Sequence, residues 1–301
     1  MIVRHGRLVM VLGLVTGVAF PALSAGLRPW LLHFVALMLF LTAFRIGPRA
    51  ALGTASDIRG SVGLALIFQV VMPLAGLAVF TALGIELTPL ALVLMLVLAS
   101  ATVTGAPNFT MMLGHDPAPA LRMLMVGTAL LPLTVLPVLW AMPQLSGTAE
   151  VLGAASKLLA LIGASVALAF VLRVTMRPEL SDDDRTVLDV GTTIWLAVIG
   201  IALMAALGPA LRTDPASVVL WMLAAFGANY GLQVSTRLGL LAWGKRAIAT
   251  PMAIVAGNRN LALFLVALPA AVTDPILLFI GCYQVPMYLT PILLAKFHAE
   301  S

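Results

Sequence analysis

Apolar stretches of roughly 20 residues recur along the whole chain and are separated by short polar segments. A helix of about 20 apolar residues can cross the hydrocarbon core of a bilayer, because each residue adds about 1.5 Å of length. The pattern predicts ten such helices, at residues 8–26, 29–46, 62–82, 89–113, 119–141, 150–173, 187–207, 215–240, 247–271 and 274–296. We therefore expect an all-α polytopic membrane protein.

The composition agrees with this expectation and excludes several other classes of protein. Hydrophobic residues make up 61% of the chain and charged residues 10%, too few to cover an ordinary soluble surface. The net charge of +5 comes from basic residues scattered singly between apolar runs, so no nucleic-acid partner is expected. Cys282 is the only cysteine, and no cluster of Cys and His residues suggests a metal.

Lys and Arg residues collect on one side of the predicted helices. Thirteen of the 17 basic residues fall on one side, three fall on the other, and Arg259 lies inside a helix. Loops rich in Lys and Arg stay in the cytoplasm. Both termini are therefore predicted to be cytoplasmic, in a multi-pass protein of a bacterial-type inner (plasma) membrane.

The N-terminus has a second interpretation. Arg4 and Arg7, an apolar run to Phe20 and the segment 22–25 (Ala-Leu-Ser-Ala) also resemble a cleavable secretory signal. Cleavage would leave nine helices and remove the internal symmetry described next, so we favour ten.

Two of the predicted helices contain polar segments that disfavour a continuous helix. Helix 89–113 contains residues 102–108 (Thr-Val-Thr-Gly-Ala-Pro-Asn), and helix 247–271 contains residues 256–260 (Ala-Gly-Asn-Arg-Asn). Irregular backbone at membrane depth survives only where it is buried in protein or lines a cavity. Both segments are therefore expected to be helix breaks in the protein interior.

These two helices are each fourth in a set of five. Gly105 and Gly257 are 152 positions apart in a chain of 301 residues. An odd number of helices per repeat inverts the second copy, which predicts a 5+5 inverted repeat with broken, crossing helices 4 and 9 and a binding site where they meet. The predicted repeats are residues 1–146 and 147–301. The alternative is that Pro107 and Gly257 only kink two ordinary helices.

Arg259 lies in the middle of the ninth predicted helix. A cationic side chain at mid-bilayer costs roughly 2.5 kcal/mol or more, so such residues face the protein interior and mark a site. None of the twelve acidic residues falls in the middle of a predicted helix. The guanidinium could bond Asn108, Asn258, Thr128, carbonyls of the broken helices or a substrate carboxylate. The alternative is a structural arginine that ties the two broken helices together.

Other polar residues are assigned structural roles. Asn229 and Gln233, on the eighth predicted helix, are expected to bond neighbouring helices, although they could also face the site. The hydrophilic segment 179–185 (Glu-Leu-Ser-Asp-Asp-Asp-Arg) is predicted to be a solvated linker.

Four short motifs make the chain resemble the bile acid:sodium symporter family and its bacterial superfamily. They are residues 104–110 (Thr-Gly-Ala-Pro-Asn-Phe-Thr), 120–121 (Ala-Leu), 130–137 (Leu-Leu-Pro-Leu-Thr-Val-Leu-Pro) and 257–262 (Gly-Asn-Arg-Asn-Leu-Ala). The resemblance implies a panel domain and a core domain, each built from both halves of the chain. It also implies that two unwound helices cross in the core beside a substrate cavity.

The sodium ligands of that family are only partly present. In sodium-coupled members of that family, a glutamate and a glutamine bind sodium at the positions that Val255 and Arg259 occupy in this chain. The resemblance therefore implies that two sodium ligands are missing. Asn108, Thr128 and Gln69 match other ligand positions and remain candidate ion-binding residues. A sodium ion about 5 Å from a guanidinium is repelled by about 3 kcal/mol at an effective dielectric constant of about 20. Sodium is therefore disfavoured, and no cofactor is expected.

The sequence therefore predicts a secondary transporter that moves a small organic or amphipathic anion by alternating access, without two-sodium coupling. The expected partners are this anion and the lipid bilayer, and the oligomeric state is open. No set of nucleophile, base or metal ligands suggests an enzyme. The alternatives are a sodium-coupled organic anion symporter and a non-transporting ligand-binding receptor. The predicted substrate-binding residues are Thr104, Asn108, Asn258, Arg259 and Asn260.

The charge distribution makes the topology testable. Single cysteines at Ile2, Asp182 and Glu300 should all react with a label only from the cytoplasmic side. A residue labelled from outside, or a mature chain that begins near Gly26, would contradict the ten-helix plan.

Overall fold

The computed structural model describes residues 6–48, 55–84, 88–142 and 147–299. Within these residues the regular structure is helical, apart from one isolated β-bridge. Seven helical stretches in this part of the chain are long and apolar enough to cross a membrane: Pro21–Ile46, Ile58–Ala82, Ala118–Trp140, Thr148–Met176, Asp182–Thr213, Pro215–Ala242 and Ala270–Leu293. The chain is therefore a multi-pass, all-α membrane protein.

Three predicted spans are represented by shorter apolar helices. These helices are Leu8–Ala19, Pro89–Ala99 and Arg246–Gly257, each of 10–17 residues. A helix of that length is shorter than the hydrocarbon core. The structure thus supports seven spans, and the plan of ten spans in two inverted repeats remains a prediction.

The helices follow one another with short connections. In chain order they are α1 (Gly6–Ala19), α2 (Pro21–Leu27), α3 (Leu31–Ile46), α4 (Ala55–Leu66), α5 (Met72–Ala82), α6 (Pro89–Ala99), α7 (Ala106–Met112), α8 (Ala118–Trp140), α9 (Thr148–Met176), α10 (Asp182–Leu203), α11 (Leu207–Thr213), α12 (Pro215–Ala242), α13 (Arg246–Gly257), α14 (Ala262–Ala267), α15 (Ala270–Thr273), α16 (Leu277–Leu293) and α17 (Ala295–Ala299). A π-helical segment, Ile67–Val71, joins α4 to α5.

The boundary between the first two predicted spans was wrong. Helix α1 ends at Ala19, and the next helical stretch begins at Pro21 rather than at residue 29. Phe20 has φ −119° and ψ 73°, outside the helical region. Proline disfavours the helical conformation of the residue before it, which explains why the apolar run is divided here.

The segment 179–185 is only partly a linker. Asp182, Asp183 and Asp184 form the first turn of α10, and Ser181 caps it. The Asp184 amide donates to Ser181 Oγ at 3.1 Å, and the Ser181 amide donates to Asp184 Oδ2 at 3.1 Å. Acidic side chains near a helix N-terminus are favoured by the helix dipole, so the acidic run starts a helix.

The chain divides into two compact units, and each unit takes segments from both halves of the sequence. The first is built from Met1–Ala51, Ala164–Gly227 and Leu277–Glu300, and the second mainly from Leu52–Gly163 and Ala228–Ile276. The two predicted five-helix repeats are not tested by this division. Ser146 at the predicted repeat boundary, and the labelling positions Ile2 and Glu300, lie outside the described residues.

In the first unit, α1 lies against α10 with very close backbone approach. A side-chain Cβ at Gly13 would lie 2.9 Å from the Ala197 carbonyl oxygen, and one at Gly17 would lie 2.7 Å from Met204 Cβ. Small residues permit this spacing between membrane helices. A bidentate Arg45–Asp189 ion pair joins α3 to α10.

In the second unit, an apolar cluster joins α4, the π-helical segment, α8 and α13. Its buried members are Ala65, Phe68, Ala120, Met123, Met252, Val255 and Ala256. Beside it, Gln69 Nε2 donates to the Gly127 carbonyl at 3.0 Å, and Thr134 Oγ1 donates to Gln69 Oε1 at 2.7 Å. The second unit contains both polar segments that the sequence predicts to be helix breaks.

Candidate functional site

Both predicted breaks are true interruptions between separate helices. Helix α6 ends at Ala99 and α7 begins at Ala106, while α13 ends at Gly257 and α14 begins at Ala262. Ser100 is extended, with φ −72° and ψ 153°, and Asn258 has φ −101° and ψ 89°. Pro107 lies in the first turn of α7, where its missing N–H is tolerated. Neither segment is therefore a single helix with a kink.

The two interruptions pair with each other. Thr102 and Arg259 form an isolated antiparallel bridge. The Val103 amide donates to the Asn258 carbonyl at 2.8 Å, and the Asn260 amide donates to the Ala101 carbonyl at 2.9 Å. These bonds satisfy backbone groups that the helices leave without partners, which allows non-helical backbone inside a membrane protein.

The Arg259 side chain is 1% exposed and lies at the C-terminal ends of two helices. Its Nε donates to the Ala256 carbonyl at the end of α13 at 2.7 Å, and its Nη1 donates to the Ser100 carbonyl just after α6 at 2.9 Å. The Phe68 ring lies beneath the guanidinium, with its centroid 5.1 Å from Arg259 Cζ. This is a cation–π arrangement.

Helix dipoles explain how this cation is stabilised without a carboxylate. The C-terminal end of a helix carries roughly half a negative charge, from carbonyls that lack an intrahelical partner. Two such ends sum to roughly one negative charge, which matches the single positive charge of Arg259. The two carbonyls that accept hydrogen bonds from the guanidinium both lie at helix C-terminal ends.

A buried amide network supports the second interruption. Asn229, Gln233 and Asn258 are each 0% exposed. Asn229 Nδ2 donates to the Gly257 carbonyl at 2.6 Å, and Gln233 Nε2 donates to Asn229 Oδ1 at 2.7 Å. Asn258 Nδ2 donates to the Ile254 carbonyl at 2.8 Å. Asn229 therefore bonds the last residue of the neighbouring helix α13, as the sequence analysis expected, and that residue borders the interruption.

Four predicted site residues have side chains that are available to bind a ligand. Thr104 and Thr128 are buried, and Asn108 and Asn260 are partly exposed. The side chains of these four residues make no hydrogen bond to any other residue within the described ranges. Thr104 and Asn108 lie one helical turn apart around the start of α7, and the backbone of Asn260 bonds Ala101. These groups can therefore donate to a ligand, whereas Arg259 and Asn258 bond the protein.

The candidate ion ligands also divide into side chains that bond the protein and side chains that do not. The Gln69 amide bonds Gly127 and Thr134 through both of its ends. Val255 is 1% exposed and belongs to the apolar cluster, so no oxygen replaces the missing glutamate at that position. Asn108 and Thr128 remain as side-chain oxygens, and a hard cation needs several oxygens close together.

The sequence analysis named carbonyls of the broken helices among the possible partners of Arg259, but it did not identify which carbonyls, and it missed Phe68. Ala256 and Ser100 contribute only their carbonyl oxygens, which carry no side-chain pattern. In the sequence, nothing distinguishes Phe68 from other apolar residues. The four-residue spacing of Asn229 and Gln233, which places both on one helix face, was the one available indication of the amide network.

Comparisons with protein-family models and with curated proteins give no match. The resemblance to the bile acid:sodium symporter family therefore rests on the motifs in the fourth, fifth and ninth predicted helices.

Gly257 should be the least replaceable glycine of the second unit. A Cβ at this position would lie 2.4 Å from the Asn229 carbonyl oxygen and 2.4 Å from Gln233 Cγ. We expect Gly257→Ala to lower the free energy of unfolding by about 1–3 kcal/mol through overpacking, measured as a lower melting midpoint in detergent. Gly231→Ala is the matched control, because nothing lies within 4 Å of its Cβ position. Equal midpoints for the two variants would contradict this prediction.

Proposed function

We propose that this protein is a secondary transporter of a small organic anion, related to the bile acid:sodium symporter family, in which Arg259 takes the place of a bound cation. The observation that carries the proposal is the Arg259 guanidinium bonded to carbonyls at two helix C-terminal ends. In transporters with broken helices, unwound carbonyls and half-helix C-terminal ends are the groups that coordinate a coupling ion. Here a covalently attached positive charge occupies such a position.

The fixed charge favours an anion without requiring direct contact. At about 5 Å and an effective dielectric constant of about 20, a guanidinium attracts a carboxylate by about 3 kcal/mol. Because the Arg259 side chain already bonds Ala256 and Ser100, the hydrogen bonds to the anion fall to donors that remain available. These are the side chains of Asn108, Asn260 and Thr104. Asn258 then has the role of bracing the interruption.

The proposal includes the ten-span plan. Two five-helix inverted repeats would place α6 with α7 and α13 with α14 in corresponding positions, and the Thr102–Arg259 bridge is where such helices would cross. Alternating access would expose Asn108 and Asn260 first to one side of the membrane and then to the other. The proposal keeps both termini in the cytoplasm at an inner membrane, as the distribution of basic residues predicts.

A sodium-coupled symporter is the second candidate. The observation that favours it is the pair of side chains Asn108 and Thr128, whose oxygens bond no other residue in the described part of the chain. The apolar surroundings of Val255 and the two hydrogen bonds of Gln69 argue against a full set of sodium ligands.

Sodium dependence separates the two candidates. In proteoliposomes, uptake of organic acids from short carboxylates to cholate, supplied as choline salts, should be unchanged when external choline is replaced by sodium or potassium. The fixed guanidinium provides the positive charge in every salt. A steep, sigmoidal rise with sodium would replace the proposal with the symporter, and Thr128→Val should then abolish that rise.

Loss of the fixed charge should remove anion binding as well as stability. We expect Arg259→Gln to lower the melting midpoint, because two buried carbonyls lose their donor at about 1–3 kcal/mol each. The midpoint shift caused by the anions that stabilise the wild type should also vanish. Lysine should be a weak replacement, because it cannot bridge two carbonyls with a planar fork.

Asn229→Ala is the control for that experiment. It removes the bond to the Gly257 carbonyl and destabilises the same interruption, but it keeps the positive charge. Its anion-induced shift should survive. An anion-induced shift that also survives in Arg259→Gln would show that Arg259 only braces the two helices.

A further inference from the structure

Arg173, in the first unit, is a buried cation outside the site described above. It lies in the last turn of α9 and is 8% exposed. Two of its guanidinium nitrogens, Nε and Nη1, are buried and donate to no residue in the described ranges. Buried N–H groups that lack an acceptor are costly, so such a group implies a ligand that completes it.

The backbone at the C-terminal end of α3 packs against the side chain of Arg173. Gly47, at the C-terminal end of α3, has φ +74°, and the guanidinium carbon of Arg173 lies 3.9 Å from the place where a Gly47 Cβ would be. Glycine adopts this left-handed conformation without strain. The side chain is therefore packed against the turn after α3.

Two acidic residues of α10, Asp184 and Asp189, have ion-pair or hydrogen-bond partners other than Arg173. Asp189 forms the ion pair with Arg45. Asp184 completes the cap of α10 and lies 4.0 Å from the more exposed Arg177. Its carboxylate also interacts with Arg173 through charge, but it accepts no hydrogen bond from Nε or Nη1 of that arginine. Nε and Nη1 of Arg173 therefore keep two donors for which the described residues supply no acceptor.

The surface beside Arg173 indicates which anion this is. Val171 and Val174, on the same helix, are each 59% exposed, as expected of side chains that face lipid. Arg177 follows one turn later, where the polar region begins. The distribution of basic residues assigns this end of α9 to the cytoplasmic leaflet, whose anionic lipids attract Lys and Arg. Helical periodicity places these valines on a different side of α9 from the buried Arg173, so this helix end has a lipid-facing side next to the guanidinium. A phospholipid at the edge between the two sides can place its phosphate at the guanidinium and its acyl chains on the apolar side.

We infer that Arg173 binds the phosphate of an anionic phospholipid at the cytoplasmic end of α9, between α9 and the turn at Gly47. The guanidinium would donate charge-assisted hydrogen bonds to the phosphate oxygens, and the acyl chains would lie along Val171 and Val174.

Native mass spectrometry of the purified, full-length protein in detergent tests the inference. Phosphatidylglycerol should bind the wild type more tightly than phosphatidylcholine and should raise its melting midpoint. Arg173→Gln should weaken phosphatidylglycerol binding about tenfold, the loss expected when a charged hydrogen-bonding partner is removed. Arg177→Gln, the matched control on the same helix end, should change it less than about twofold, as for an exposed charge.

Three results would overturn the site. The first is an equal loss of binding in Arg177→Gln and Arg173→Gln, which would indicate unspecific surface attraction. The second is complete displacement of phosphatidylglycerol by inorganic phosphate at the same concentration as the lipid. This result would indicate that the site binds free phosphate and not a lipid. The third is the absence of any phosphatidylglycerol-specific stabilisation of the wild type, a measurement that holds even if Arg173→Gln does not fold. Arg173→Lys, which keeps the charge, should bind with intermediate affinity.

Discussion

The carbonyl groups at the C-terminal ends of α6 and α13 converge on the guanidinium of Arg259, and the arrangement of the second unit depends on this convergence. Two helices that end inside a membrane protein expose carbonyls of like partial charge, and these repel each other when brought together. A cation between them converts that repulsion into attraction. Bonds to Ala256 and Ser100 then join segments that are far apart in the sequence.

The neighbouring residues follow from this geometry. Once the two helix ends are held together, the non-helical residues after them can pair as a short antiparallel bridge between Thr102 and Arg259. The amide network of Asn229 and Gln233 secures the remaining carbonyl at Gly257, and that glycine lets the backbone of α12 come close enough to do so. Both interruptions are thus held in place through their backbones, and the side chains of Asn108 and Asn260 remain available to bind a ligand.

Seven of the ten predicted spans could be located from hydropathy, because bilayer thickness sets the length of an apolar run. The interruptions could also be located, since proline, glycine and asparagine disfavour helix where Thr104 to Asn108 and Gly257 to Asn260 occur. The division at Pro21 was missed because hydropathy does not register a proline. Carbonyls of the broken helices were among the predicted partners of Arg259, but the particular two could not be predicted, because every residue has a backbone carbonyl and only the folded chain selects Ser100 and Ala256. The sequence also left open whether Arg259 binds a substrate or holds the two broken helices together. Its hydrogen bonds to two backbone carbonyls show that it holds the helices together.

A positive charge that is covalently part of the protein has a consequence for energetics. A dissociable sodium ion crosses with its substrate and carries the free energy of its gradient, whereas Arg259 returns with the protein in every cycle. Under the proposed function, a monoanion therefore moves as one uncompensated negative charge. With about 2.3 kcal/mol per elementary charge at 100 mV, a negative cell interior opposes its entry and drives its exit. A carrier of this design favours efflux, or exchange of one anion for another, over accumulation.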